Sequence, residues 1–184
     1  QTVKDIEGKY LDPIQGKDYE MGIKGDYFDG ALSASFGVFK VVQDKLGAKT
    51  GQKIPGTTTD AYEAKKGVTS KGLEVDVNGE INQNLSLGLG LTHFNAKDAY
   101  GKKFDTESSR TTANLFAKYS IADFRAGAGV QYKSKIYVGS GANEITQKAY
   151  TLANLMFGYK ISKNFDIQLN IDNVFNKKYF EGIG

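Results

Sequence analysis

The chain has no cysteine, no tryptophan, two prolines and a single histidine among its 184 residues. The lack of cysteine excludes disulfide staples and thiolate metal sites, although it names no compartment. No run of about 18 apolar residues occurs, so no helix can cross a bilayer. The formal charge is only +3, with lysines and carboxylates mixed along the chain. Without a basic tail or stripe to neutralise phosphates, nucleic acid is not an expected partner. The opening stretch, Gln1–Tyr10, has no apolar signal segment and does not begin with Met. Either a signal has been removed or the sequence is a piece of something longer. The mean hydropathy of −0.42 has the sign of a soluble protein. It discriminates poorly, because membrane β-barrels alternate apolar and polar residues and average to similar values.

What the chain has in quantity is glycine (22), tyrosine (11) and phenylalanine (11). That profile suits strand-rich proteins with aromatic girdles and is shared by soluble β-sandwiches. The length suffices for one domain with a sizeable core. The period is two almost throughout. Leu85, Leu87, Leu89 and Leu91 alternate with Ser86, Gly88, Gly90 and Thr92. Phe124, Ala126, Ala128, Val130 and Tyr132 alternate with Arg125, Gly127, Gly129 and Gln131. Phe165, Ile167, Leu169 and Ile171 alternate with Asp166, Gln168, Asn170 and Asp172. Strict alternation predicts strands, since a helical period would scramble it.

Five further runs, Tyr19–Phe28, Ala31–Gln43, Gly72–Ile81, Arg110–Ile121 and Tyr150–Ile161, bring the expected total to eight strands and no helix. Glu74 and Asp76 alternate with Val75 and Val77, so one face meets water and the other meets something dry. The connections alternate in length. Short turns, including Phe28-Asp29-Gly30-Ala31, follow the first, third, fifth and seventh strands. Long Gly/Thr/Lys-rich loops at about Asp44–Lys71, Lys97–Ser109 and Val138–Ala149 follow the second, fourth and sixth. Segregation of short turns to one end and long loops to the other is the pattern of outer-membrane barrels. Runs of roughly 10 to 13 residues suit tilted membrane strands. Aromatics near strand ends (Tyr27, Phe28, Phe94, Tyr119, Phe124, Tyr132, Tyr159 and Phe165) are placed as an interfacial belt would place them. The expected fold class is therefore all-β, an antiparallel up-and-down transmembrane β-barrel.

Catalytic signals are lacking. His93 continues the Leu85–Leu91 face without evident partner ligands and reads as a belt or core histidine. The glycine-rich pieces at Gly88–Leu91 and Gly127–Val130 lie inside strands, where they let neighbours approach closely rather than cradle phosphates. The chain is not expected to be an enzyme. The long-loop end offers Tyr62, Tyr100, Arg110 and Tyr137 as candidate substrate-binding residues, with Phe104 nearby. Aromatic faces plus a cation suit an anionic, aromatic or metal-chelate ligand.

Three stretches resemble one family. Tyr10–Val41, with its Pro-containing lead into Glu20-Met21-Gly22-Ile23-Lys24, resembles the corresponding segment of TonB-dependent outer-membrane receptors. Thr69–Asp98 resembles that family's Gly-x-Glu hairpin. Leu169–Phe180, with Asn173-Val174-Phe175-Asn176 leading to Tyr179, resembles its near-terminal signature. The nearest likeness is to ferric-siderophore receptors. This resemblance implies that residues 1–184 are about eight consecutive strands of a 22-strand C-terminal barrel domain, without the plug domain or the last strand. It further implies a location in the outer membrane of a Gram-negative bacterium, in contact with its lipid. The implied ligand is a ferric siderophore, its iron carried as a chelate and not by protein ligands, so no cofactor is expected. TonB and its inner-membrane energising complex would engage the missing N-terminal part. Three alternatives stay open: a complete eight-stranded barrel of structural or adhesive role, a receptor of the same family for a non-iron substrate such as cobalamin, and a soluble ligand-binding β-protein. Small inward residues such as Gly88 and Gly127 fill an eight-stranded interior poorly.

Overall fold

The computed structural model describes residues 2–65, 67–104 and 106–183. In chain order its strands are β1 (Gln15–Tyr27), β2 (Leu32–Asp44), β3 (Leu46–Lys53), β4 (Asp60–Lys65), β5 (Val68–Glu80) and β6 (Leu85–Lys97). There follow β7 (Thr111–Ile121), β8 (Phe124–Lys133), β9 (Ile136–Val138), β10 (Ile145–Gln147), β11 (Tyr150–Ser162) and β12 (Phe165–Ile171). Eight of them form one sheet in the order β1-β2-β5-β6-β7-β8-β11-β12, so β1 and β12 are its edges. These eight are the strands that alternation predicts, in sequential order. Among the described residues the only helical turn is a 3-10 turn at Gly141–Asn143.

The difference lies in the long connections. Two of them contain hairpins of their own, β3–β4 and β9–β10, so the strand total exceeds the expected eight. Alternation detects a strand with one dry face. A hairpin such as β3–β4, exposed along most of its length, has no such face and escapes the test. For the same reason β1 begins earlier than expected, at Gln15, where polar residues occupy both faces, and β5 begins at Val68, whose single buried apolar side chain followed by Thr69, Ser70 and Lys71 gives no alternation.

The short connections obey local turn chemistry. Asp29 and Gly30 both have positive φ (55° and 87°), and Ala31 N–H donates to Phe28 O at 3.1 Å. Positive φ at both central positions matches the right-handed twist of the flanking strands. At the next short turn Asn82 Oδ1 accepts from the N–H groups of Asn84 and Leu85, both at 2.9 Å. Two-residue connections join β7 to β8 and β11 to β12.

The chain folds as two compact units, one of residues 1–20, 39–71 and 95–105, the other of residues 21–38, 72–94 and 106–184. In the first, Ala61 of β4, Val68 of β5 and Ala96 of β6 are buried. In the second, the pairing register assigns two faces with opposite chemistry. Leu89 lies opposite Leu115, Leu115 opposite Val130 and Val130 opposite Ala153. Leu85, Tyr119, Ala126, Phe157 and Leu169 form a parallel row by the same pairings. This face is apolar along most of its length, with His93 opposite Thr111 and Thr151 opposite Tyr132 toward the long-loop end. On the other face Ser86, Lys118 and Gly127 are successive partners, as are Gly90, Asn114 and Gln131. Gly127 and Gly129 admit the Phe116 ring: a Cβ added to them would sit 3.0 Å from its Cζ and 3.3 Å from its Cδ2. A large side chain thereby covers backbone that glycine leaves bare.

Neither face is buried by the chain itself. Ile167 and Leu169 are 52% and 58% exposed. The accessible surface is 13077 Å², against roughly 8,700 Å² for a compact soluble protein of this mass. An apolar face this large in water would aggregate; hydrocarbon removes the penalty.

Candidate functional site

In the first unit Tyr62 lies on β4 opposite Lys49, half-buried, with its backbone N–H donating to Lys4 O at 2.8 Å. Tyr100 stands on the loop after β6 and is 78% exposed. Asp98 Oδ1 shapes that loop by accepting from the N–H groups of Tyr100 and Lys102, both at 2.9 Å. The β3–β4 hairpin is tied by Asp60, which pairs with Lys49 at 2.7 Å and with Lys53. Hydrogen bonds from these two ammonium groups hold the Asp60 carboxyl down to about 2.

The second unit holds Arg110 and Tyr137. Thr92, Thr112, Lys133 and Tyr150 are successive cross-strand partners and form one row on the polar face. One step nearer the long loops, Phe94 N–H donates to Arg110 O at 2.9 Å, which extends the β6–β7 register by one pair. Phe94 and Arg110 therefore also belong to the polar face, and the Arg110 guanidinium lies over the Phe94 ring, 4.9 Å from its centroid. This corrects the expectation for Phe94. It supports a cation on the polar side, because Leu85 parity sends the odd residues of β6, not the even ones, to the apolar face. His93, an odd residue, stays on the apolar face with its Nδ1 2.8 Å from Thr111 Oγ1. Tyr137 sits on β9 opposite Thr146, with Lys135 Nζ 5.6 Å from its ring centroid and its N–H donating to Thr106 O at 2.9 Å.

Sequence reasoning missed one element. Tyr179 stacks on Tyr150 with centroids 4.5 Å apart and planes at 26°, which leaves Tyr150 only 5% exposed. The Asn-Val-Phe-Asn stretch after β12 carries the chain onward beside β11, past the last β12 pairing of Ile171 with Leu155. Val174 N–H donates to Ala153 O at 2.8 Å, and Asn173 N–H to Asn154 Oδ1 at 2.8 Å. The Asn173 side chain then holds Lys177, accepting from its N–H at 2.8 Å and donating to its carbonyl at 2.9 Å. Farther on, Phe180 N–H donates to Gln147 Oε1 at 3.1 Å. The signal was the aromatic pair Tyr179-Phe180 itself, but only the fold shows which ring it meets.

The polar face thus ends, at its long-loop end, in Arg110 on Phe94, Lys133, and the Tyr150–Tyr179 stack. Cations beside aromatic faces bind anionic or π-rich ligands without covalent chemistry.

Comparison with known proteins agrees with this geometry. The family model described as "TonB dependent receptor-like, beta-barrel" matches residues 2–174. The ferric-pyoverdine BN7/BN8 receptor of Pseudomonas putida is 32% identical over 99% of this chain and 22% of its own length. The solved ferripyoverdine receptor of the Pseudomonas aeruginosa outer membrane, bound to ferripyoverdine, superposes with a TM-score of 0.88 at 28% identity. That match covers 100% of this chain and 26% of the receptor. A solved complex of FpvAI with pyocin S2 also gives 0.88 at 28% identity, over 99% of this chain and 26% of that one. The chain spans about a quarter of the length of these relatives. With two opposed faces, alternating connections and a family match over nearly its whole length, the chain belongs to the TonB-dependent receptor-like β-barrel family.

Proposed function

We propose that the protein containing this chain is an outer-membrane receptor that binds a ferric siderophore and imports it with energy delivered by TonB. The observation that carries this reading is the pairing of a broad apolar face with a polar face ending in Arg110, Phe94, Lys133, Tyr150 and Tyr179. The apolar side meets lipid. The polar side lines the lumen, against the plug that the remaining chain would supply. About eight strands of a 22-strand barrel are present in this reading, and the long loops rise on the extracellular side. Iron passes as cargo within its chelate and requires no resident cofactor. The segment performs no covalent step; its part is to hold the wall and present the rim.

The ferric-pyoverdine receptors among the relatives favour a siderophore over cobalamin. In the full-length receptor, alanine at Arg110 and Tyr137 together is expected to weaken ferric-siderophore binding at least tenfold while barrel assembly stays intact. Tyr62 and Tyr100, in the first unit, are the second pair to test. Unchanged binding in the Arg110/Tyr137 double variant would show that this segment supplies wall and not site. Preferential binding of cobalamin would overturn the siderophore reading.

A further inference from the structure

In the first unit the chain folds back on itself directly after β6. Asp98 N–H donates to Lys102 O at 2.9 Å and Phe104 N–H to Ala96 O at 3.0 Å. These two bonds bracket an antiparallel bridge between Lys97 and Lys103. The bridge is therefore a non-hydrogen-bonded pair, whose opposed side chains leave the backbone on one face with Cβ atoms about 5 Å apart. Two ammonium groups stand side by side, and like charges in this position weaken the pairing that holds them. Both lysines are exposed, and among the described residues neither forms an ion pair. Asp98, the carboxylate next in sequence, turns its Oδ1 to the N–H groups of Tyr100 and Lys102. Elsewhere in this unit the same arrangement is complete. Lys49 and Lys53 both reach Asp60, so that one carboxylate bridges two ammonium groups. Lys45 likewise has Asp12, and Lys65 has Glu63. Lys97 and Lys103 repeat the two-lysine geometry without the carboxylate.

Resting on the siderophore reading above, we propose that Lys97 and Lys103 together bind a free carboxylate of the ferric siderophore, so that the receptor favours chelates that keep an acidic group outside the iron shell. Asp60 is the template on the same unit: a carboxylate between two lysines meets both ammonium groups and needs no further donor. At the Lys97–Lys103 bridge the carboxylate comes from the ligand, and the repulsion within the pair is relieved when the ligand arrives. The pair stands at the base of a loop on the side where the chelate enters in the proposed orientation. Attraction between exposed charges acts over about 8–10 Å in salt and speeds capture as well as holding the bound chelate. A phosphate of the outer-leaflet lipid is the rival source of negative charge, and the test separates the two.

The test uses the full-length receptor in mild detergent and two probes labelled with radioactive iron. One is a ferripyoverdine carrying a free carboxylate, and the other is the same chelate with that carboxylate converted to its methylamide. Wild type is expected to bind the carboxylate form about fivefold more tightly at low ionic strength, a preference that shrinks as salt rises. Lys97→Gln/Lys103→Gln is expected to lose the preference by weakening the carboxylate form alone. Lys102→Gln should keep it, as should Asp105→Asn, at a position outside the described residues. Heat-modifiable mobility on gels reports barrel assembly. Lysine acetylation read by mass spectrometry gives a direct measurement on wild type: the carboxylate form should shield Lys97 and Lys103 and leave Lys102 reactive. Equal binding of the two forms by wild type, or a preference that survives in the double variant, would overturn the inference and leave the proposed function standing. Shielding of the pair by lipopolysaccharide but not by the carboxylate chelate would overturn it too. Failure of wild type to bind either form would count against the proposed function, and this inference would fall with it.

Discussion

Leu89 tests the assignment of faces most sharply. Its register partner is Leu115, level with Val130 and Ala153. On β6 it stands four residues from Leu85, which pairs with Tyr119 at the short-turn end, and four from His93, which pairs with Thr111 at the other. At about 3.4 Å per residue that is roughly 14 Å along the strand either way. With strands tilted near 40°, it is about 10 Å in height. The same arithmetic from Phe124 to Tyr132 on β8 gives an apolar band of about 21 Å, close to the roughly 25 Å of outer-membrane barrels. Leu89 is therefore at the midplane, where an arginine facing lipid costs about 2–4 kcal/mol. That corresponds to about a 30- to 900-fold loss in the folding equilibrium. Gly88 is one residue away on the other face, where an added Cβ meets only Asn78 Oδ1, at 3.0 Å. Gly88→Arg pushes a flexible amide aside and reaches aqueous lumen. The measurement is reversible unfolding of the full-length receptor from lipid vesicles in guanidinium, wild type against Leu89→Arg and Gly88→Arg. A cost for Gly88→Arg equal to or larger than that for Leu89→Arg refutes the assignment of faces.

Three further outcomes follow from named contacts. Gly127→Val drives a side chain into Phe116 Cζ and Met156 Cε, which lie 3.0 and 3.1 Å from the position of its Cβ. It should destabilise the barrel by about 1–3 kcal/mol in the same unfolding assay, as overpacking does. The Asp60 carboxyl is held at about 2, below its ordinary 3.8. Because the folded value is depressed, its contribution to the β3–β4 hairpin is complete above pH 4 and is lost as pH falls from about 4 to 2. Hydrogen exchange over residues 46–65 should accelerate across that window in wild type and show no such step in Asp60→Asn. Asn173 takes a left-handed φ of 49° and makes both side-chain bonds to Lys177. Asn173→Ala should raise exchange across residues 172–180 by an opening cost lowered about 1–3 kcal/mol, leaving β7 and β8 protected.

Strand positions and the division into an apolar and a polar face were legible in the sequence. A side-chain period of two needs no tertiary information, and every one of Leu85 to Leu91 falls on the face its alternation implies. Four of the sheet's pairings also followed, since short turns force β1–β2, β5–β6, β7–β8 and β11–β12 to be neighbours, while the pairings across the long loops follow from the up-and-down barrel pattern. The loop hairpins were not legible, because β3–β4 has no dry face and is held by pairing and by Asp60 with its two lysines. Phe94 shows two sequence cues in conflict at a single residue. Its place near a strand end suggested the belt, whereas its parity with Ser86, Gly88, Gly90 and Thr92 puts it on the polar side, and the register with Arg110 sides with parity. The site was half visible for a similar reason. Arg110 and Tyr137 stand out as loop-end residues of suitable chemistry, whereas the stack of Tyr179 on Tyr150 joins positions far apart in the chain. No local rule connects those two. The connection exists because Asn173 and Val174 bond to the stretch of β11 that β12 leaves uncovered and keep the chain beside it as far as Tyr150, a contact that only the folded sheet can offer.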